Sequence, residues 1–380
     1  MIYLDNAATT CPYPEVLDRI RDVSENWYAN PHAMHAFGVS AERLANESRK
    51  IITDFLKVQQ NELVFTSGGT EANNLAILGL ATQPSRLGRH ILATAIEHPS
   101  VLEPMNRLGM HGFETELLPM GKDGYLDPDE VLAHVRPDTR LLSIMHVNNE
   151  SGAILPVSET ILLVKKKNPN LLVHVDAVQS FGKIPVLPKI WGADLVSFSA
   201  HKLHGPKGVG ALYIRKGVRL DPILLCGGQE GGMRSGTLNI PGICGFASAV
   251  SHASAHRQED EIHVSQLKME LIGGLKESLR EHVLILSPEH SSPYILQVAF
   301  EKVKAEVLLH HLAERGIYVS SGSACASRKD TGSHVVKAMN IPVKWQGGVI
   351  RFSFSGSTMK NEVETALDAV STIYPSIRTR

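Results

Sequence analysis

Short apolar runs alternate with amphipathic helical patterns through the first two thirds of the chain. The strand-like runs lie at residues 63–66, 90–96, 141–147, 171–176, 195–199 and 211–214. Between them, apolar residues recur with helical spacing at 41–58, 99–109 and 157–167. Strands and helices that alternate in this way are typical of a mostly parallel sheet covered by helices. The pattern therefore predicts an α/β fold.

The pattern changes after Pro241, where a helical repeat runs from about residue 242 to 282 with no strand in between. A new mixed set of strands and helices follows, at 295–299, 306–315, 317–321 and 349–354. We therefore expect a large domain at 16–255 and a smaller α+β domain at 256–380, which residues 1–15 join.

The overall charge excludes some functions. The 380 residues carry 38 basic and 39 acidic side chains, so no strong net field attracts nucleic acid or an anionic membrane. No apolar run approaches the roughly 20 residues that a membrane span needs. Asp5 stands where a signal peptide would need a basic and then an apolar stretch. We expect a cytoplasmic protein that binds neither nucleic acid directly nor a membrane.

The cysteines do not form a metal-binding pattern. Cys11, Cys226, Cys244 and Cys325 are widely separated, with no C-x-x-C pair. In a reducing compartment they are expected to be free thiols, and most lone cysteines are small packing residues. The paired histidines likewise lack carboxylate or thiol neighbours that would complete a metal site. We predict no metal.

Four segments follow predicted strands, at the edge where open α/β sheets bind ligands. In the first, FTSGGTEANN at residues 65–74, two glycines precede a helix that Thr70 opens. The free N–H groups and positive dipole of a helix start suit a phosphate, although a plain turn has the same pattern.

The second and third segments carry an acid and a lysine. In HVDAVQS, at 174–180, Asp176 ends an apolar strand and could pair with a pyridinium nitrogen or cap a helix. In SFSAHKLHGPKG, at 197–208, Lys202 follows a strand of buried character. A half-buried lysine loses its charge easily, which suits imine formation, whereas most loop lysines are simply exposed.

The fourth segment is the glycine-rich GGQEGGMRSGT at 227–237, whose backbone could cradle an anion. It is not a dinucleotide fingerprint, because no βαβ unit surrounds it. Each of the four segments alone fits more than one role. Their combination, in this order along the sequence, is much more specific.

Together these segments resemble fold-type-I pyridoxal-phosphate enzymes, and specifically the NifS/IscS-like cysteine desulfurases of the class-V aminotransferase family. The similarity extends from YLDNAATT at 3–10 to IRFSFS at 350–355. It includes TSGGTEANN, EHPSV, MHVNNESG, HVDAVQS, SFSAHK, MRSGT and SSGSAC. The resemblance implies a large domain with a mostly parallel seven-stranded sheet covered by helices, and a smaller α+β domain.

The same resemblance implies that pyridoxal 5′-phosphate (PLP) is bound through Lys202. Asp176 would face the pyridine nitrogen and His98 would stack on the ring and shuttle protons. The residues expected to hold the ring oxygen and the phosphate are Asn149, Gln179, Gly69, Thr70, Ser199 and His201. Thr237 would reach the phosphate of a neighbouring subunit, which implies a homodimer with shared sites.

The resemblance also assigns the substrate side of the site. Arg351 would bind the carboxylate of L-cysteine with its planar fork, and Asn30 would assist it. Cys325 lies in SSGSACASRKDTG, at 320–332, a polar Gly- and Ser-rich tract that predicts a mobile exposed loop. Arg328 and Lys329 nearby would help to lower the pKa of its thiol.

The implied reaction converts L-cysteine to L-alanine and leaves the sulfur as a persulfide on Cys325. The persulfide would pass to an acceptor protein for iron–sulfur cluster assembly or for tRNA thiolation. The alternatives are a selenocysteine lyase and another class-V aminotransferase-like PLP enzyme, which would not need Cys325. An inactive scaffold protein of sulfur metabolism is the alternative from outside the enzymes.

Overall fold

The computed structural model describes residues 1–81, 88–121, 124–322 and 333–379. The helices are α1 Pro14–Asn26, α2 Ala36–Leu56, α3 Gly69–Ala81, α4 Pro99–Met110, α5 Pro128–His134, α6 Val157–Lys167, α7 Pro188–Trp191, α8 Ile240–Leu279, α9 Ala305–Glu314, α10 His334–Ala338, α11 Val343–Gln346 and α12 Lys360–Ile377. The strands are β1 Ile2–Tyr3, β2 Leu63–Thr66, β3 His90–Thr94, β4 Glu114–Leu118, β5 Thr139–Met145, β6 Leu172–Asp176, β7 Leu195–Ser199, β8 Gly210–Ile214, β9 Val283–Ile285, β10 Ile295–Phe300, β11 Ile317–Tyr318 and β12 Val349–Ser353.

The main sheet has seven strands in the order β2-β8-β7-β6-β5-β3-β4. Strand β8 is antiparallel to both of its neighbours, and the other pairs are parallel. Strands β3, β5 and β7 are buried along their whole length, because helices cover both faces of the sheet. The predicted α/β fold with a mostly parallel seven-stranded sheet is confirmed.

The edge strand β4 is absent from the predicted elements. Its sequence, ETELL, has no apolar run, and only its last residue, Leu118, is buried. The tertiary context supplies its conformation, because each of its residues pairs with one in β3. The strand predicted at 317–321 is shorter in the structure, where β11 covers only Ile317–Tyr318.

A second hydrophobic cluster surrounds the antiparallel sheet β12-β10-β9. Helix α8, 40 residues long, contributes to both clusters. Phe246 and Val250 pack with the main sheet, whereas Leu267 and Leu271 pack with the smaller one. The predicted domain division near residue 255 falls between these two stretches and stays a prediction.

The N-terminal segment contacts both parts of the chain. Strand β1 pairs with β11, and the Ala7 N–H donates to the Ser353 hydroxyl at 2.9 Å. Farther along, the Thr10 N–H donates to the carbonyl of His201 at 3.0 Å. This segment therefore runs directly past the turn that carries Lys202.

Within the described ranges, no helix combines the length and apolar character that crossing a bilayer requires. The same residues contain no group of three or more His, Cys, Asp or Glu side chains placed to hold a metal. Cys244 is buried, as expected for a packing residue. The packing role expected for Cys11 and Cys226 is wrong, because both are exposed.

Candidate active site

A cavity of about 240 Å³ lies at the carboxyl ends of the central strands. Most of the site residues predicted from the sequence line it. They are Gly69, Thr70, His98, Asn149, Asp176, Gln179, Ser199, His201, Lys202 and Arg351. They come from distant parts of the sequence, and the parallel sheet brings them together because its strands end at one edge.

Asp176, the last residue of β6, is buried at the base of the cavity. One carboxylate oxygen, Oδ1, accepts from the Val178 N–H at 2.9 Å. The other, Oδ2, accepts from the side-chain amide of Asn73 at 2.8 Å. These two hydrogen bonds fix the carboxylate plane, and within the described part of the chain neither of them comes from a cationic side chain.

His98 is the N-cap of α4, and its Nδ1 accepts from the Ser100 N–H at 3.1 Å. The Ser100 hydroxyl lies 2.8 Å from the same nitrogen. Burial lowers the pKa of His98, and the positive charges of Lys202 and His334 act in the same direction while Asp176 opposes them. The ring is therefore neutral at pH 7.

The start of α3 faces the same cavity. Gly69 is required there, because a Cβ at this position would lie 2.6 Å from a methyl group of Val178. The first N–H groups of a helix have no partner within the helix, so those of Gly69 and Thr70 are suited to an anion. The buried Ser199 hydroxyl, at the end of β7, has no partner among the described residues.

Lys202 follows β7 in a single 3₁₀ turn. Its Nζ donates to the carbonyl oxygens of Ala7 and Ala8, at 2.6 and 2.7 Å. The neighbouring His201 has its pKa lowered to about 4, mainly by burial and also by the charges of Lys202 and Lys207. The imidazole of His201 is therefore neutral, and its Nδ1 lies 3.1 Å from the Thr9 hydroxyl.

Arg351, on β12, places its guanidinium group in the wall of the cavity. Its side chain is buried, and Nη1 donates to the Asn149 carbonyl at 2.7 Å. Nη2 donates to the carboxylate of Asp5 at 2.7 Å. Nε has no partner among the described residues, so one of the five guanidinium N–H donors remains available.

Gln179 lies one turn after Asp176 and is also buried. Its amide nitrogen donates to the carbonyl of Ala7 at 2.9 Å, and its Oε1 has no partner within the described part of the chain. The N-terminal segment thus holds both Gln179 and Lys202 through the carbonyl of Ala7, which the two side chains share.

Glu150 lies beside Gly322 and Ser333, the two described residues that flank the segment with the predicted Cys325. The Ser333 hydroxyl donates to Glu150 Oε2 at 2.5 Å. A Cβ on Gly322 would lie 3.4 Å from that same oxygen and 4.0 Å from the Ser333 Cβ. Gly322 and Ser333 are therefore close neighbours in space. Cys325 itself lies outside the described residues.

A family model for aminotransferase class-V matches residues 2–366 of the chain. The chain belongs to the class-V aminotransferase family.

Two relatives that match almost the whole chain are named cysteine desulfurase IscS. The cysteine desulfurase IscS of Dictyoglomus turgidum is 38% identical over 378 residues, with 100% of this chain and 95% of the relative covered. That of Methanosarcina thermophila is 38% identical over 377 residues, covering 99% and 93%.

Solved class-V structures have the same fold. A NifS-like protein has a TM-score of 0.93 at 38% identity, covering 99% of each chain. SspA, solved in complex with cysteine, has a TM-score of 0.82 at 32% identity, covering 94% of this chain and 100% of its own. The predicted family, the NifS/IscS-like class-V proteins, is confirmed.

Two predicted site residues, Thr237 and Asn30, do not line the cavity described above. Thr237 is exposed on the loop before α8, and Asn30 is exposed before α2. The side chain of Asn30 accepts from the His32 N–H at 3.0 Å, which is a local turn contact. Neither residue lines the cavity of its own chain, and their roles stay predictions.

Sequence reasoning missed several residues of the site. Asn73 and Ser100 line the cavity and bond to Asp176 and His98 respectively. Both stand in strings that were singled out for the family resemblance, TSGGTEANN and EHPSV. The helical spacing of Asn73 from Gly69 was the available signal, since residues four apart share a helix face.

Glu97 is a further residue that sequence reasoning missed. It is fully buried next to His98, and burial raises its pKa to about 8, with the charge of Asp176 adding to the effect. Its Oε1 accepts from the Thr94 hydroxyl and from the Met145 N–H, both at 2.6 Å. Glu97 therefore ties β3 to β5 directly behind the cavity.

Proposed function

We propose that this chain is a PLP-dependent cysteine desulfurase that converts L-cysteine to L-alanine and carries the sulfur on Cys325. The observation that supports it best is the cavity in which Lys202, Asp176 and Arg351 meet. The chain also matches cysteine desulfurases at 38% identity over its full length. The two relatives described above carry that name, so the alternative is not favoured.

The residues present fit PLP. Its phosphate would bind the first N–H groups of α3 at Gly69 and Thr70, together with Ser199, whose buried hydroxyl has no partner in the ranges that the structure describes. Gly69 also keeps this space clear, because a Cβ would fill it. The ring oxygen would be bound by Gln179 and Asn149, both of which line the cavity. His201 would assist at the phosphate, and Lys202 would hold the cofactor covalently.

When bound, PLP supplies an electron sink for the pair of electrons that the substrate Cα releases as it loses its proton. Asp176 keeps the pyridine nitrogen protonated, because a carboxylate held rigidly by two hydrogen bonds favours the positive charge beside it. Lys202 accepts the Cα proton. His98, which is neutral and lines the same cavity, moves a second proton.

Arg351 orients the substrate through its carboxylate. Asp5 and the Asn149 carbonyl hold two of the three guanidinium nitrogens in place, so the side chain is already oriented before cysteine binds. An Arg fork binds a carboxylate at two points, which fixes the direction of the amino acid as well as its position.

Cys325 takes the sulfur. Its thiolate attacks the sulfur of the bound cysteine, an S–S bond forms, and the Cβ–S bond of the substrate breaks. Cβ keeps the electron pair of the broken bond and gains a proton, and Cα regains the proton that Lys202 accepted, so the products are alanine and a Cys325 persulfide. The acceptor of that persulfide is a protein of iron–sulfur assembly or of tRNA thiolation.

The proposal extends to the assembly and the compartment. Thr237, exposed on its loop and outside its own cavity, binds the phosphate of a second copy of this chain in a homodimer. Asn30, also exposed, assists at the substrate end of the site. The small domain at 256–380 carries the Cys325 segment, and the enzyme works in the cytoplasm.

The direct test is a single-turnover reaction of the PLP-loaded protein with L-cysteine. We expect one alanine and one persulfide per active site in the absence of a reductant, and continued turnover when a thiol is added. Mass spectrometry of peptides would locate the persulfide. A parallel competition between cysteine and selenocysteine separates the desulfurase from the lyase, and release of alanine from selenocysteine alone would overturn the proposal.

A change at Arg351 tests the substrate assignment. Arg351→Lys keeps a positive charge near Asp5 but loses the two-point fork, so we expect KM for cysteine to rise about 10- to 100-fold. Cysteamine, which lacks the carboxylate, is the matched control substrate. The ratio of kcat/KM between cysteine and cysteamine should fall in the variant. An unchanged ratio would mean that Arg351 does not bind the carboxylate.

A further inference from the structure

Asn73 connects Asp176 to the ring of His98 through Ser100. The side-chain nitrogen of Asn73 lies 2.8 Å from Asp176 Oδ2 and 2.8 Å from the Ser100 hydroxyl oxygen. The Ser100 hydroxyl in turn lies 2.8 Å from His98 Nδ1. These side chains are consecutive members of one hydrogen-bond chain along the wall of the cavity.

The donors and acceptors of this hydrogen-bond chain have a fixed direction. The carboxylate of Asp176 only accepts hydrogen bonds, so it is the NH₂ group of Asn73 that faces it. The second hydrogen of that NH₂ group is donated to Ser100 Oγ. Ser100 therefore accepts from Asn73, and its own hydrogen is left to point at His98 Nδ1.

A second donor reinforces this direction at the ring. The Ser100 backbone N–H, which cannot accept, donates to His98 Nδ1 at 3.1 Å. A hydrogen on Nδ1 would face both this N–H and the hydroxyl hydrogen, which is unfavourable. The neutral ring must then carry its hydrogen on Nε2.

We infer that Asn73 and Ser100 are positioning residues that hold His98 as a neutral imidazole with its hydrogen on Nε2. They act because Asp176, which only accepts, sets the direction of every hydrogen bond in the chain. The relevance to turnover rests on the proposed function, in which His98 moves a proton. The hydrogen-bond chain itself does not depend on that function.

Other groups also bear on the charge of His98. Burial and the positive charges of Lys202 and His334 disfavour the imidazolium, whereas the charge of Asp176 favours it. The contribution of the hydrogen-bond chain to the charge of His98 can be measured separately, because Ser100→Ala removes one donor and changes no charge. Ser100→Thr keeps the hydroxyl and serves as the conservative control.

The test is ¹⁵N NMR of the full-length, PLP-loaded protein labelled at histidine, with the His98 signals identified by their loss in His98→Gln. In the unaltered protein we expect a bare Nδ1 and a protonated Nε2. In Ser100→Ala the ratio of charged to neutral His98 should rise about fivefold at a given pH, because a hydrogen bond specific to the neutral ring is lost. Ser100→Thr should restore the original ratio.

Asn73→Asp reverses the direction of the hydrogen-bond chain, and the side chain at residue 73 keeps almost the same shape. The new carboxyl shares one proton with Asp176, because two carboxylates at hydrogen-bond distance do not both ionise. Its oxygen accepts from the Ser100 hydroxyl, which then turns its lone pairs toward His98 Nδ1. We expect protonation at Nδ1 to increase about tenfold or more. Asn74→Asp is the charge control: it adds a carboxylate at the next position, where the Asn74 amide donates to the backbone oxygens of Thr70 and Ser100.

The outcomes separate this inference from the proposed function. A hydrogen on Nδ1 in the unaltered protein, or an unchanged His98 titration in both Ser100→Ala and Asn73→Asp, would overturn the inference. Equal effects of Asn73→Asp and Asn74→Asp would also overturn it, because charge alone would then explain the shift. If the predicted NMR changes occur in a protein that releases no alanine, the inference stands and the proposed function fails.

Discussion

Replacing Lys202 with alanine is expected to abolish both the cofactor adduct and the release of alanine from cysteine. The amine of Lys202 is held at 2.6 and 2.7 Å by the Ala7 and Ala8 carbonyls, inside the cavity that Asp176 and Arg351 share. Loss of the covalent attachment and of the proton acceptor together should lower kcat/KM by at least about a thousandfold.

The adduct is measured independently of turnover. The protein is loaded with PLP and reduced with borohydride, and the modified lysine is then located by peptide mass spectrometry. Lys207→Ala is the matched control, because Lys207 is exposed on the same turn and should leave labelling unchanged. Labelling of the buried Lys183 instead of Lys202 would contradict the assignment, and so would the absence of any reducible adduct.

The second large effect is expected at Cys325. Cys325→Ala should retain PLP binding, because none of the residues proposed to hold the cofactor changes. Alanine release should nevertheless fall about a thousandfold or more, since no thiolate attacks the substrate sulfur. The persulfide, measured by alkylation and mass spectrometry, should be absent.

The chain supplies two matched controls for this substitution. Cys11 and Cys226 are exposed thiols, so Cys11→Ala and Cys226→Ala test whether any accessible cysteine suffices. Both variants should keep full turnover and form the persulfide at residue 325. Unaffected turnover in Cys325→Ala would instead support a class-V enzyme that needs no nucleophilic thiol.

Apolar periodicity predicted the elements that are buried. Strands β5 to β7 are nearly continuous apolar runs, and each polar residue that ends a run marks the ligand edge of the sheet. Asp176 and Lys202 could be selected in this way, and the family resemblance added their roles. Strand β4 could not, because its residues are mostly exposed and β3 imposes its conformation.

Tertiary hydrogen bonds were beyond the reach of the sequence. Nothing in the spacing of Asn73, Ser100 and Asp176 indicates that they form one chain, because three separate elements deliver them. The ion pair between Asp5 and Arg351 joins residues 346 positions apart. Local patterns identify residue types at strand and helix ends, but the contacts between those ends depend on the packing of the whole sheet.

Glu150 lies beside both ends of the segment that we propose to carry the sulfur. Gly322 and Ser333 meet at one carboxylate, so the intervening residues start and finish at nearly the same point. The entropy of closing such a stretch grows slowly, by about 0.6 kcal/mol for each doubling of its length. Insertions or deletions between these two residues should therefore change how far Cys325 reaches while sparing the rest of the protein. Selection for a new sulfur recipient could act on this stretch alone.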